Sequence, residues 1–168
     1  MIEMAEYRIE LEGIDAKTCK VGASTEGVPT IEVASPPEFG GPGDVWSPEH
    51  MFLASISTCL MTTFQAIAAM SGLEVVDYRD EAEGRLERGD NGLYRFELVT
   101  LRPRMLIADE RLVSKAERLM DKAKNVCLIG RSVNTEIVVE PTVTTLGPPS
   151  SRAGMGPLST RTTSRDTI

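Results

Sequence analysis

Twenty consecutive residues, Met51 to Met70 (MFLASISTCLMTTFQAIAAM), carry no charge, and this stretch constrains the fold of the 168-residue chain more than any other. Its length is what a bilayer asks of a spanning helix. Six of the twenty are Ser, Thr or Gln, however, and the flanks hold Glu49 and Glu74 rather than the Lys and Arg that anchor a cytoplasmic end. The better reading is a helix covered on nearly all sides within a globular core, with no membrane as partner. Ser47-Pro48-Glu49 supplies its start: Ser as N-cap, Pro at the first helical position and an acid in the first turn. The helix is predicted from Pro48 to about Ser71, with Gly72 as its stop.

The rest of the chain is arranged around that helix. From Glu3 to Ala34, short apolar alternations broken by Gly13, Gly22 and Gly27-Val-Pro29 predict two or three antiparallel strands. A Pro- and Gly-rich loop, Ser35 to Asp44, leads into the helix. After it, Val76, Tyr78, Ala82 and Leu86 alternate with polar residues, Gly89 to Gly92 supplies turn chemistry, and Tyr94, Phe96 and Leu98 alternate again, which predicts a long hairpin. Asp109 caps a second helix whose apolar positions, Leu112, Val113, Ala116, Leu119, Met120 and Ala123, recur at helical spacing until about Asn125. A last strand, Glu136 to Glu140, closes the domain before Pro141. From Thr144 to Ile168 apolar periodicity is lost, and Pro, Gly, Ser and Thr predict a disordered tail.

Charge and rare residues narrow the function classes. With 18 Lys and Arg against 25 Asp and Glu, the net charge of -7 has the wrong sign for wrapping nucleic acid or lying on anionic lipid. Three cysteines, Cys19, Cys59 and Cys127, are too few for a disulfide framework, and no CxxC or Cys/His cluster has zinc spacing, so neither metal nor cofactor is expected. The first residues lack the pattern of a signal peptide, and the expected location is the cytoplasm. One histidine, His50, gives a triad or a His-rich centre almost no material; it reads as a surface or interface residue.

Thiol chemistry is the remaining candidate. Cys59 lies in the middle of the uncharged helix, where a free cysteine ordinarily serves as a small hydrophobe. Its neighbourhood is unusually hydroxylic, with Ser55, Ser57, Thr58, Thr62 and Thr63. Cys127 follows the end of the second helix in Cys-Leu-Ile-Gly-Arg-Ser. Two thiols carried together by packed helices can cycle between dithiol and disulfide.

Ser47-Pro48-Glu49-His50-Met51-Phe52-Leu53-Ala54, with Cys59 ten residues after the glutamate, resembles the (N/S)-P-E-x-x-x-A signature and peroxidatic cysteine of the OsmC/Ohr family, the osmotically inducible and organic hydroperoxide resistance proteins. Cys127 with Arg131-Ser132-Val133 is similar to that family's second cysteine block, and Glu38 to Gly43 to its Gly-rich loop. The resemblance runs from about Tyr7 to Val139 and divides the chain into an OsmC-like domain, 1–143, and the tail, 144–168. It implies an α+β fold: an intertwined homodimer in which six-stranded mixed sheets wrap two long central helices. Spacing makes a similar demand, because ten helical residues hold Glu49 and Cys59 about 15 Å apart along the axis, so one small substrate meets both only if a second helix contributes.

The resemblance further implies a thiol peroxidase. Cys59 as thiolate attacks an organic hydroperoxide and becomes a sulfenic acid, Cys127 condenses with it, and an external dithiol reopens the disulfide. Phe52 and Ile56 are expected as the apolar wall for the substrate. In the family an arginine oriented by the glutamate, here Glu49, holds the thiolate; its place falls near Thr18, Cys19 and Lys20, and no arginine lies between Arg8 and Arg79. Lys20 as a point charge, an arginine from elsewhere (Arg102, Arg104 or Arg131), or lost activity are the alternatives. Without the resemblance, Glu49 reads as a first-turn acid favoured by the helix dipole, and Cys19 as incidental or as a third redox thiol. A second function class also fits: a small-molecule binder or redox sensor of the same fold.

Overall fold

The structure, a computed structural model, describes residues 4–15 and 20–146. Cys19 and all of the expected tail beyond Leu146 lie outside the described residues. Strands β1 (Glu10–Asp15), β2 (Lys20–Thr25) and β3 (Val28–Val33) form an antiparallel sheet in the order β1-β2-β3. The loop that follows is closed by Gly41, where a Cβ would overlap the Ser35 carbonyl.

Helix α1 (Pro48–Met70) starts and stops as its signals predict: the Ser47 hydroxyl accepts from the His50 N–H at 3.3 Å, and Gly72 takes a left-handed φ of +65°. Ile56, Leu60, Phe64, Ile67 and Ala68 form its buried stripe. The opposite face, Ser55, Thr58, Thr62, Gln65, Ala66 and Ala69, is exposed. Within a single chain, then, the helix is covered on one side, and the expected cover on nearly all sides is not met.

Beyond α1 the chain lays down β4 (Val75–Arg79), β5 (Ala82–Arg88), β6 (Tyr94–Leu101), β7 (Arg104–Ile107), α2 (Val113–Val126), a four-residue α3 (Leu128–Arg131), β8 (Glu136–Val139) and β9 (Thr142–Thr145). These strands make two mixed sheets, β5-β6-β8 and β4-β7-β9, each with one antiparallel and one parallel pairing. Each strand of one sheet continues into the other after two residues, at Asp80-Glu81, Arg102-Pro103 and Glu140-Pro141. The bends are tied across: Arg102 N–H donates to Glu81 O, Glu140 N–H to Leu101 O and Thr142 N–H to Pro103 O, all at 2.8–2.9 Å. Pro103 and Pro141 have no N–H for a ladder, so they sit where the ladder turns.

Three sequence expectations change here. The long hairpin of residues 76–98 is two elements in different sheets, because the chain bends at Asp80; only β5 and β6 pair as a hairpin. Pro141 bends the last strand instead of ending the domain, so Thr144 and Thr145, assigned to the tail, belong to β9 with Val143 packed against the core. The single chain holds three-stranded sheets and no six-stranded one among the described residues. The α+β class and the mixed pairing are as expected. Ala116, Met120 and Ala123 of α2, with Val99, Leu101, Met105 and Ile107 of the bent sheet, enclose the buried stripe of α1 in one core.

Candidate active site

Cys59 and Cys127 meet where α1 crosses the junction of α2 and α3. Cys127 sits between the two helices with φ -58° and ψ 117°, an extended residue that breaks one helix and starts the next. It is 3% exposed, whereas Cys59 is half-buried. The break turns peptide N–H groups that no helix uses toward the sulfurs. The Ile129 N–H donates to Cys59 Sγ at 3.4 Å, and the Leu128 N–H, the Cys127 thiol and the Thr63 hydroxyl donate to the same sulfur.

These donors shift the ionisation of both thiols. Burial pushes the Cys59 thiol up, but the Ile129 N–H, the Cys127 thiol, Thr63 and the Leu128 N–H together outweigh it, and the thiol is held below its ordinary value. Cys127 moves the other way: burial raises it, donation to Cys59 raises it further, and the Gly130 and Ile129 N–H groups only partly offset this. The pair is therefore asymmetric: Cys59 ionises more readily than an ordinary thiol, Cys127 less readily, and the Cys127 thiol donates to the Cys59 sulfur. A nucleophile and a resolving thiol need that division of labour.

The other expected site residues are placed elsewhere. Glu49 lines a cavity of about 500 Å³ with Phe39, Leu53, Tyr94 and Phe96, not the surroundings of Cys59, and its buried Oε2 has no partner among the described residues. Lys20 pairs with Asp44 at 3.2 Å. Phe52 stacks on Phe96, centroids 5.0 Å apart, while Ile56 is fully buried; neither lines the open depression of about 610 Å³ over Cys59. Its walls are Ile31, Trp46, Met51, Ala54, Thr58 and Thr62. His50 is held by Ser47, its Nδ1 3.1 Å from the hydroxyl, and lies edge-on to Trp46.

Of the candidate arginines, Arg102 is committed to Glu83 and Glu140 across the sheet bend, and Arg104 lies 3.6 Å from Glu81. Arg131 borders a separate cavity beside Cys127. Sequence reading sought a cation for Cys59 and missed the peptide donors of Leu128 and Ile129. A hydrogen bond from a backbone group leaves no residue-type signal; the one hint is a Cys-Leu-Ile-Gly sequence in which helix periodicity breaks and resumes.

Comparison with known proteins agrees with this fold. The family model for OsmC-like proteins matches residues 41–142. YmaD, an uncharacterized protein of Bacillus subtilis (strain 168), is 30% identical over 128 residues, which are 73% of this chain and 85% of YmaD. Among solved structures, an OsmC-like protein of unknown function from Vibrio cholerae superposes with a TM-score of 0.73 at 25% identity, over 82% of this chain and 99% of its own. An organic hydroperoxide resistance protein OsmC from Legionella pneumophila gives 0.65 at 22% identity, over 84% and 99%. The organic hydroperoxide resistance protein OhrB of Bacillus subtilis gives 0.60 at 18%, over 82% and 98%. With the family model covering more than half of the chain, the chain, with its bent mixed sheets around a long helix, belongs to the OsmC-like protein family.

Proposed function

We propose that this chain is a thiol peroxidase that reduces organic hydroperoxides in the cytoplasm, with Cys59 as nucleophile and Cys127 as resolving thiol. The observation that carries the reading is the donor set around Cys59: two peptide N–H groups, a hydroxyl and the Cys127 thiol converge on one sulfur. In the first step the Cys59 thiolate attacks the distal oxygen of ROOH, the O–O bond breaks, and the alkoxide takes a proton and leaves as alcohol. Cys127 then condenses with the Cys59 sulfenic acid, and water is lost as the S–S bond forms. The apolar walls over Cys59, Trp46 and Ile31 in particular, suit an organic peroxide better than hydrogen peroxide.

The active unit is a homodimer. Support comes from the uncovered face of α1 and from Tyr7, Leu11, Ile14 and Val28, large apolar residues of the N-terminal segment and sheet that one chain leaves in solvent. In such a dimer Glu49, remote from its own Cys59, and Lys20 reach the partner's site, where the unpartnered Glu49 oxygen orients a cation. The test is one equivalent of cumene hydroperoxide added to reduced protein, followed by intact mass and thiol counting. Rapid loss of two hydrogens and two thiols, absent in Cys59→Ser, is the expected result; unchanged thiols would leave a binding or sensing protein of this fold.

A further inference from the structure

The cavity of about 500 Å³ at the N-terminal end of α1 is lined by neither cysteine, yet it holds an unpaired acid. Phe39, Leu53, Tyr94 and Phe96 give it apolar and aromatic walls, and Glu38 and Glu49 make its lining acidic. Oε2 of Glu49 is buried without a hydrogen-bond partner among the described residues. A buried polar atom left unpaired costs about 1–3 kcal/mol, and more when it is charged, so the cavity suits a cation with N–H donors. Aromatic walls favour a guanidinium over an ammonium, because a planar cation stacks on rings and offers its donors in a fork. The described residues do not bring one. Lys20 is paired with Asp44, His50 is held by the Ser47 hydroxyl, and Arg88, 6.0 Å from the Tyr94 ring centroid, donates to Gly92 O and does not line the cavity.

Three further arginines, Arg152, Arg161 and Arg165, follow Leu146 in a segment with one acid, Asp166, whereas the whole chain carries -7. Charge therefore draws this segment toward acidic parts of the body. Reach selects among the three. The last strand, β9, ends with Thr145 opposite Ile107, and Ile107 lies opposite Val75, just past the C-terminal end of α1. Glu49 stands at the other end of that helix, about 30 Å away along its axis. Arg152 comes six residues after Leu146, and its about 20 Å of extended chain falls short. Arg161 comes fifteen residues after Leu146 and has up to about 50 Å. Arg165 also has the length, but Asp166 follows it and would face Glu38 and Glu49, whereas Arg161 has Leu158 three residues before it to lie on the apolar wall. We propose that Arg161 docks in this cavity, with its guanidinium on the Glu49 carboxylate and Leu158 beside it, so that the chain straps itself from the end of β9 back to the start of α1. The proposal identifies a cation for Glu49 and does not depend on the peroxidase reading, because the cavity is separate from Cys59 and Cys127.

The experiment reads the access of trypsin to Arg161 in the full chain carrying Arg152→Gln, so that no earlier bond of the segment is cut. Cleavage after Arg161 is followed by intact mass and compared with the same bond in a synthetic peptide of residues 147–168 with the same substitution. The expected result is cleavage about tenfold or more slower in the protein, because trypsin acts only on the undocked fraction. Glu49→Gln keeps the shape of the side chain and removes its charge; Leu158→Glu lies beyond the last strand and spares the folded body. Each should bring cleavage to within about twofold of the matching peptide, whereas Glu110→Gln, a surface acid before α2, should leave the protection in place. Cleavage in the protein as fast as in the peptide, protection that survives Glu49→Gln or Leu158→Glu, or protection lost equally in Glu110→Gln would overturn the proposal. None of these outcomes involves peroxide, and closure of the Cys59–Cys127 disulfide by cumene hydroperoxide in the same samples tests the peroxidase reading by itself.

Discussion

Replacing Leu128 by proline deletes one peptide donor to Cys59 and leaves the backbone where it is. Cys127, with ψ 117°, already has the extended conformation that a residue before proline requires. Position 128 is the first residue of α3, where the ring's fixed φ fits and the lost N–H has no intrahelical partner. The leucine side chain is 65% exposed, so its loss removes little packing. A hydrogen bond to a charged acceptor is worth about 1.5–3 kcal/mol, and the lower end suits a diffuse sulfur anion. At about 1.4 kcal/mol per pKa unit, the Cys59 midpoint should rise by at most about one unit, because the Leu128 N–H is the weakest of the four donors. The assay is the rate of iodoacetamide alkylation read at the Cys59 peptide from about pH 5 to pH 9, a range that brackets the ordinary thiol value. Below the midpoint the rate should fall by up to about tenfold, because the thiolate fraction falls by that factor. Leu128→Ala, which keeps the N–H, should leave the profile in place. A midpoint unmoved in a proline variant that melts like the wild type would refute the claim that the Leu128 N–H helps to hold the thiolate.

Tyr78 buries a hydroxyl without a partner among the described residues, and burial, then the Asp80 carboxylate, pushes its pKa above the ordinary range. Tyr78→Phe should therefore raise the urea midpoint at pH 7, by about 1 kcal/mol of stability. Because the folded phenol stays neutral, wild-type stability falls once the pH passes about 10, where the unfolded tyrosine ionises, and the variant should show a shallower alkaline decline. The Asp109 carboxyl is held down to about 2 by the side-chain hydrogen bond from Arg111 and then by the Arg111 N–H. Its contribution is present above the unfolded carboxyl value of about 4 and lost as the pH falls toward 2, so Asp109→Asn should flatten that part of an acid melt. If the proposed homodimer forms through the uncovered face of α1, Thr62→Glu, which places a charge there, should convert dimer to monomer in sedimentation, whereas Glu110→Gln, on the surface turn before α2, should leave the dimer intact.

Elements with local signals were legible in the sequence. Ser47, Pro48 and Gly72 fixed both ends of α1, and the spacing of Ala116, Met120 and Ala123 fixed the buried face of α2. The bends in the sheet were not legible, because Pro103 and Pro141 stop a ladder in either of two ways: by ending a strand or by turning it into the next sheet. Only long-range pairing, β7 with β9 and β6 with β8, decides between them. The cysteine pair was visible through the company of each residue. Its activation was not, since the sequence shows cations and hides peptide donors. The apolar wall was misplaced for a related reason: helical spacing puts Phe52 and Ile56 near Cys59 along α1, but the core takes that face and leaves Trp46 and Ile31, distant in sequence, over the thiol.

In the proposed cycle, holding the thiolate by peptide dipoles would also determine how the pair turns over. A guanidinium side chain can be lost by one mutation or screened by salt; the N–H groups of Leu128 and Ile129 persist under nearly any substitution except proline. That makes the absence of an arginine from Thr18 to Lys20 compatible with a working nucleophile in an acidic chain. The same donors act on the disulfide. They stabilise the anionic sulfur of the reduced state and find only a neutral one after oxidation, so they favour the dithiol and make the disulfide easier to reduce, the relation that makes an oxidoreductase a strong oxidant when its reduced form is stabilised. Deleting the Leu128 donor should thus weaken the nucleophile and strengthen the disulfide together. The about 1.4 kcal/mol lost from the thiolate corresponds to about 30 mV for a two-electron couple, and a glutathione redox titration of Leu128→Pro at a pH above the Cys59 midpoints of both proteins should find the potential lower by up to that amount. A potential that stays put while the alkylation midpoint rises would mean that these donors leave the Cys59 thiolate on approach to Cys127, and that activation and disulfide poise are set by different contacts.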